Sequence, residues 1–125
     1  MEANELRIGN YLYPFKDQAH KVVGIVGNLI GLEFEFNMVI QDDIKNIEPI
    51  PLTKEWLLKF GFRPNKHGYI FDTFRVKNLV TGFFYGYIPV FLDGEEEDIE
   101  DVQIKYVHQL QNLYFALTGK ELTIK

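Results

Sequence analysis

The sequence predicts an α+β fold, and three observations carry that reading. Short apolar runs punctuated by Gly, Asn and Pro fill residues 6–50. A helix with clear start and stop signals follows at 53–61. The best amphipathic helical pattern then closes the chain after residue 104. At 125 residues and 14.7 kDa the chain fits a single domain, with a strand-rich subregion at about 5–52 and a helix, hairpin and helix at about 53–125.

The strands come first. Residues 6–8 lead through Gly9-Asn10 into a strand at 11–13 that Pro14 ends. A second strand covers 21–26, and Gly27-Asn28 marks a turn. A third covers 29–36, where Leu32, Phe34 and Phe36 alternate with Glu33 and Glu35 and imply one dry and one wet face. Short strands at 39–40 and 44–47 follow. Short strands with turns roughly every eight to ten residues predict a small antiparallel barrel. Their order is similar to that of an SH3-type or Tudor-type barrel.

Residues 48–51, Glu-Pro-Ile-Pro, must be extended, because each proline pushes its predecessor out of the helical region. Thr53 is then the N-cap, Glu55 lies in the first turn and Gly61 stands just past the end. Leu52 and Leu57 form a hydrophobic-staple pair. Trp56, Leu57 and Phe60 share a face, and so short a helix must dock to persist. Strands at 69–76 and 83–92 form a hairpin with its turn near Lys77-Asn78, and Pro89 demotes part of the second strand to an edge. In the closing helix Tyr106, Val107, Leu110, Leu113, Tyr114 and Leu117 make one apolar stripe that packs on the sheet. Residues 121–124 add a last strand.

Charge is unevenly spread. The chain carries 18 acidic and 13 basic side chains, a formal net charge of −5. Seven of the acids lie within 93–101, so the remainder holds 11 acidic against 13 basic groups. The acidic run reads as a solvated loop leading into a helix N-terminus, since it lacks the spacing of a calcium loop. There is no cysteine and no serine, which removes disulfides, thiolate metal sites and the commonest nucleophiles. Glycine spacing matches neither a dinucleotide nor a phosphate loop, so no cofactor is expected. The start lacks the pattern of a leader, and the uncharged, apolar-rich stretch 79–92 is too short and too broken by Gly and Pro to span a bilayer. A cytoplasmic protein without a membrane partner is the expectation.

Candidate site residues fall in three groups. His20, His67 and His108 lie far apart, and only a His67–Asp72 pairing near Tyr69 could be drawn toward catalysis. Beside the apolar stripe of the closing helix, His108, Gln111, Asn112 and Phe115 form a second face, an apolar anchor ringed by amides that reads as a partner face. Between Lys59 and Lys77 the chain is locally basic and rich in rings. Arg63, Lys66, Tyr69, Arg75 and Lys77 are the residues a single-stranded nucleic-acid surface would use. Alternation puts Tyr69, Phe71 and Arg75 on one side and Ile70, Phe74 and Val76 on the other.

Three segments, LRIGNYL at 6–12, PIPLTKEWLLKFGF at 49–62 and IKYVHQLQNLYFALTGKELTIK at 104–125, together resemble a family of small proteins encoded in gut-bacterial genomes and their prophages. The resemblance brings no activity, cofactor or catalytic residue. It implies a self-contained cytoplasmic protein, of mobile-element or prophage association. The leading functional expectation is a non-enzymatic protein-interaction module, binding a protein partner or a second copy of itself. It rests on aromatic residues at 15% of the chain, on the lack of any catalytic constellation, and on the face of His108, Gln111, Asn112 and Phe115. A nucleic-acid-binding module on 59–77 is the alternative.

Overall fold

A computed structural model of the chain describes residues 1–15, 18–65, 68–71, 74–80, 85–93, 95–98 and 103–125. Among these, the chain is α+β, with two five-stranded antiparallel sheets and a C-terminal helix. It divides into two compact units: Met1–Pro51 with Tyr106–Glu121, and Leu52–Lys105 with Leu122–Lys125.

The first unit holds β1 (Tyr11–Phe15), β2 (Gln18–Val26), β3 (Leu29–Glu33), β4 (Val39–Asp43) and β5 (Glu48–Pro49). The first four form a meander, and β5 returns to the far side of β1, giving the order β4-β3-β2-β1-β5. Gly27 sits at φ 59 in the β2–β3 turn, a left-handed position that favours glycine. Residues 44–47, expected as a strand, instead hold the 3-10 turn Ile44–Asn46, because the Asp43 side chain accepts the Lys45 N–H at 3.0 Å and starts a cap. Leu6, Leu12, Val22, Ile30, Leu32 and Ile47 form the core, with Ile25, Phe34 and Ile44 against it.

The third expected strand also ends early. β3 stops at Glu33, and the 3-10 turn Glu35–Asn37 follows, with Phe36 at φ 62 and Asn37 at φ 60. The dry face read from Leu32, Phe34 and Phe36 is therefore broken. Leu32 is fully buried, Phe34 is half-buried, and Phe36 is 91% exposed.

The C-terminal helix α2 (Val107–Thr118) packs on β1 and buries Val107, Leu110 and Tyr114. Its first turn is closed by the Gln109 side chain, which accepts the Tyr106 N–H at 3.1 Å, and its end by Gly119 at φ 73. Leu117, expected in the buried stripe, is half exposed.

The second unit begins with α1 (Lys54–Lys59). Thr53 caps it, accepting the Trp56 N–H. At its end Gly61 takes φ +95, Gly61 N–H donates to Leu58 O at 3.0 Å, and Phe62 N–H donates to Leu57 O at 3.0 Å. These two bonds form a Schellman motif, and Leu57 and Phe62, which it joins, are both buried. Phe62 then meets Phe71 at 5.5 Å and Phe74 at 6.2 Å between ring centroids.

The single hairpin expected after α1 is a five-stranded meander in the order β10-β9-β8-β7-β6. Its strands are β6 (Arg63–Asn65), β7 (Gly68–Phe71), β8 (Phe74–Val80), β9 (Tyr85–Asp93) and β10 (Glu95–Asp98). The two outer strands are short and polar, so they leave no apolar alternation in the sequence. The run 95–98, expected in a loop, is the edge strand β10, with Glu95 opposite Asp93. Pro89 is opposite Val76 in β8 and lies one residue beyond the last β10 pair, Asp98↔Val90. The strand expected at 121–124 has no regular structure, although Leu122 is buried and the Lys125 N–H donates to Lys59 O at 2.8 Å.

Candidate functional site

The face expected on α2 is engaged inside the first unit. Gln111, fully buried, donates from Nε2 to Gly9 O at 2.9 Å and accepts the Tyr11 N–H at 2.9 Å. Asn112 accepts from Asn10 Nδ2 at 2.9 Å and donates to Glu5 O at 2.7 Å. Phe115 lies under the Arg7 guanidinium at 3.8 Å, and Arg7 is ion-paired with Glu121. The amides expected to ring a partner anchor instead latch residues 5–11 onto the helix. That is a correction, and its reason is long-range: no local pattern in the helix reveals main chain a hundred residues earlier. Of this face Phe115 is exposed, at 38%, and Asn112 is half-buried.

His108 is 2% exposed, stacks against Tyr106 at 5.9 Å, and has no hydrogen-bond partner on either ring nitrogen. Burial pushes its pKa below the ordinary value, with the Glu5 charge acting upward and the N-terminal amine downward. It is a buried side chain that contributes packing.

The basic-aromatic patch separates into two faces. β7 and β8 pair with Tyr69 opposite Val76, Ile70 opposite Arg75 and Phe71 opposite Phe74. Directly opposed residues share a face, so Tyr69 and Phe71 lie with the buried Phe74 and Val76. Arg63, opposite Ile70, and Arg75 lie on the other face, as does Lys77 two residues on. The expected grouping of Tyr69 and Phe71 with Arg75 is corrected. The chain reverses between Phe71 and Phe74 rather than near Lys77-Asn78, and that flips the parity. Tyr69 packs edge-on against Tyr87 at 6.3 Å. Lys66, His67 and Asp72 lie outside the described residues. In register, Arg75, Val90 and Asp98 form one row, so the acidic strand β10 lies in the same sheet, two strands or about 10 Å from β8.

His20 sits in β2 with Nδ1 3.0 Å from Glu33 O and its ring stacked on Phe34 at 3.9 Å. With Tyr11, Lys21 and Glu35 these residues line an open depression of about 560 Å³. Among the described residues no three His, Asp or Glu side chains gather to hold a metal ion. No helix among them is long and apolar enough to cross a membrane.

What remains is the β4 edge of the first sheet. Beyond β4 no strand pairs among the described residues. Its register runs from Leu29↔Asp43 to Glu33↔Val39. The Phe34 N–H donates to Met38 O at 2.7 Å and the Ile44 N–H to Asn28 O at 2.8 Å, which fixes the bonded pairs at both ends. Bonded and non-bonded pairs alternate in an antiparallel ladder. Ile40 and Asp42 therefore direct their main-chain groups to β3, while Val39 and Gln41 direct theirs outward. Asp43 shares the outward direction, but the Asp42 carboxylate accepts its N–H at 2.8 Å and closes that end. Two outward N–H and C=O sets stay open.

Exposed apolar side chains follow the same edge: Met38 at 56%, Val39 at 56% and Ile40 at 40%, with Phe36 at the tip. Ile40 lies on the face of the buried Ile30 and Leu32, and Val39 and Gln41 on that of Gly31 and Glu33. The sequence marks 39–40 as a short strand. It holds no sign that this strand is terminal in its sheet. No family model matches the chain, and no match arose among curated proteins or solved structures.

Proposed function

We propose that this protein is a non-enzymatic protein-interaction module that binds a partner by adding an extended segment to the edge of β4. One observation carries the reading: outward main-chain groups at Val39 and Gln41 coincide with exposed Met38, Val39 and Ile40. Strand addition draws affinity from such main-chain groups and selectivity from alternating side chains. A long apolar edge left bare invites aggregation, and a partner strand removes that liability. The strand order, with a 3-10 turn before β5, supports reading the first sheet as a small SH3-like barrel. The resemblance to small proteins of gut-bacterial genomes and prophages fits a cytoplasmic adaptor.

A neutral peptide of alternating valine and threonine tests the reading. It binds the wild-type chain and fails to bind Gln41→Pro, which removes one outward N–H and no ladder bond to β3. Unchanged binding to a folded Gln41→Pro variant contradicts the proposal.

A further inference from the structure

We infer that the segment taken up by β4 alternates apolar and cationic residues, an inference that rests on the edge-binding reading above. Charge around the edge is lopsided. Glu33, Glu35, Asp42 and Asp43 stand there against Lys45 and against Lys21, which is opposite Glu33 in β2. Glu33, Glu35 and Lys45 are exposed.

The carboxylates are also sorted by face. Glu33 and Asp43 occupy the face of Val39 and Gln41, one at each end of the two open main-chain sets. On the opposite face Asp42 is occupied locally, accepting from the Asp43 N–H and from Asn46 Nδ2 at 2.9 Å. Ile40 on that face lies in line with buried Leu32 and Ile30.

A strand laid beside β4 obeys the same two-residue period. Its side chains next to Ile40 extend the core and are apolar. Its side chains next to Val39 and Gln41 lie between Glu33 and Asp43 and are Lys or Arg. A second copy of β4 brings its own acids to this edge, so like charge disfavours self-pairing. The occupant is a basic, amphipathic strand of another protein.

Three short peptides separate the possibilities: alternating valine–lysine, valine–glutamate and valine–threonine, each titrated by calorimetry against the wild-type chain, Gln41→Pro and Glu33→Gln/Glu35→Gln. The lysine peptide is expected to bind about tenfold tighter than the glutamate peptide at low salt. That gap should narrow in the double glutamine variant and in added salt, and all binding should vanish in Gln41→Pro. Equal binding of the lysine and glutamate peptides, both lost in Gln41→Pro, overturns the charge inference and leaves the edge reading standing. Tighter binding of the glutamate peptide does the same. Binding that persists in a folded Gln41→Pro variant, or no binding by any of the three, overturns both.

Discussion

Gln111 holds Gly9 and Tyr11 at once, donating to the Gly9 carbonyl and accepting the Tyr11 N–H, both at 2.9 Å. Gly9 itself, at φ 101, donates its N–H to Val22 O at 2.8 Å. One buried amide thus ties α2 to the entry of β1. Replacing Gln111 by Leu strands a carbonyl and an N–H in a dry site, and the chain should lose about 2–4 kcal/mol in urea unfolding. A loss below about 0.5 kcal/mol would show that water replaces the amide and that the latch contributes little.

His108 sets an acid limit. Its folded-state pKa is lowered, so the unfolded chain binds the proton more readily than the folded one. Its contribution to stability is intact well above the unfolded value of about 6.5 and declines as pH falls through that value. Urea midpoints measured from pH 8 down to pH 5 should decline for the wild type and decline less for His108→Leu. Parallel profiles for the two chains would exclude His108 as the cause.

Phe36 is a bulky residue at φ 62 and is 91% exposed. A left-handed conformation costs a non-glycine residue roughly 1–2 kcal/mol, and little burial offsets it. Phe36→Gly should leave stability unchanged or raise it by about 0.5–1 kcal/mol. A clear loss would mean that the ring supports the fold.

Tyr69 is predicted to matter for stability and not for nucleic acid. Its ring lies with buried residues and against Tyr87, on the face opposite Arg63, Arg75 and Lys77. Tyr69→Ala should cost about 1–3 kcal/mol. Titration with a single-stranded oligonucleotide at low salt should show no binding that this substitution abolishes. Salt-sensitive binding lost in Tyr69→Ala would restore the nucleic-acid alternative.

Local signals were legible where a few neighbouring residues decide the outcome. Thr53 and Gly61 mark both ends of α1 because caps use only adjacent main-chain groups. The stripe of α2 was legible for the same reason. Alternation failed at Phe34 and Phe36, since the apolar pattern continues after the chain has left β3 for a left-handed turn. Parity failed at Tyr69 and Arg75, because one hairpin reversal moved by a few residues exchanges the faces. The amides Gln111 and Asn112 stand beside the apolar stripe in sequence, but their partners, residues 5–11, are remote in sequence. The open edge of β4 is a property of strand order, which no window of the sequence contains.

Residue-resolved amide hydrogen exchange tests the edge-binding account most directly. In the free chain the Val39 and Gln41 amides should exchange fast and those of Ile40 and Asp42 slowly, as the alternating ladder requires. Addition of the valine–lysine peptide should slow Val39 and Gln41 while leaving Ile40 and Asp42 unchanged. Protection of Val39 and Gln41 in the free chain, or peptide-induced protection confined to other residues, would contradict the account.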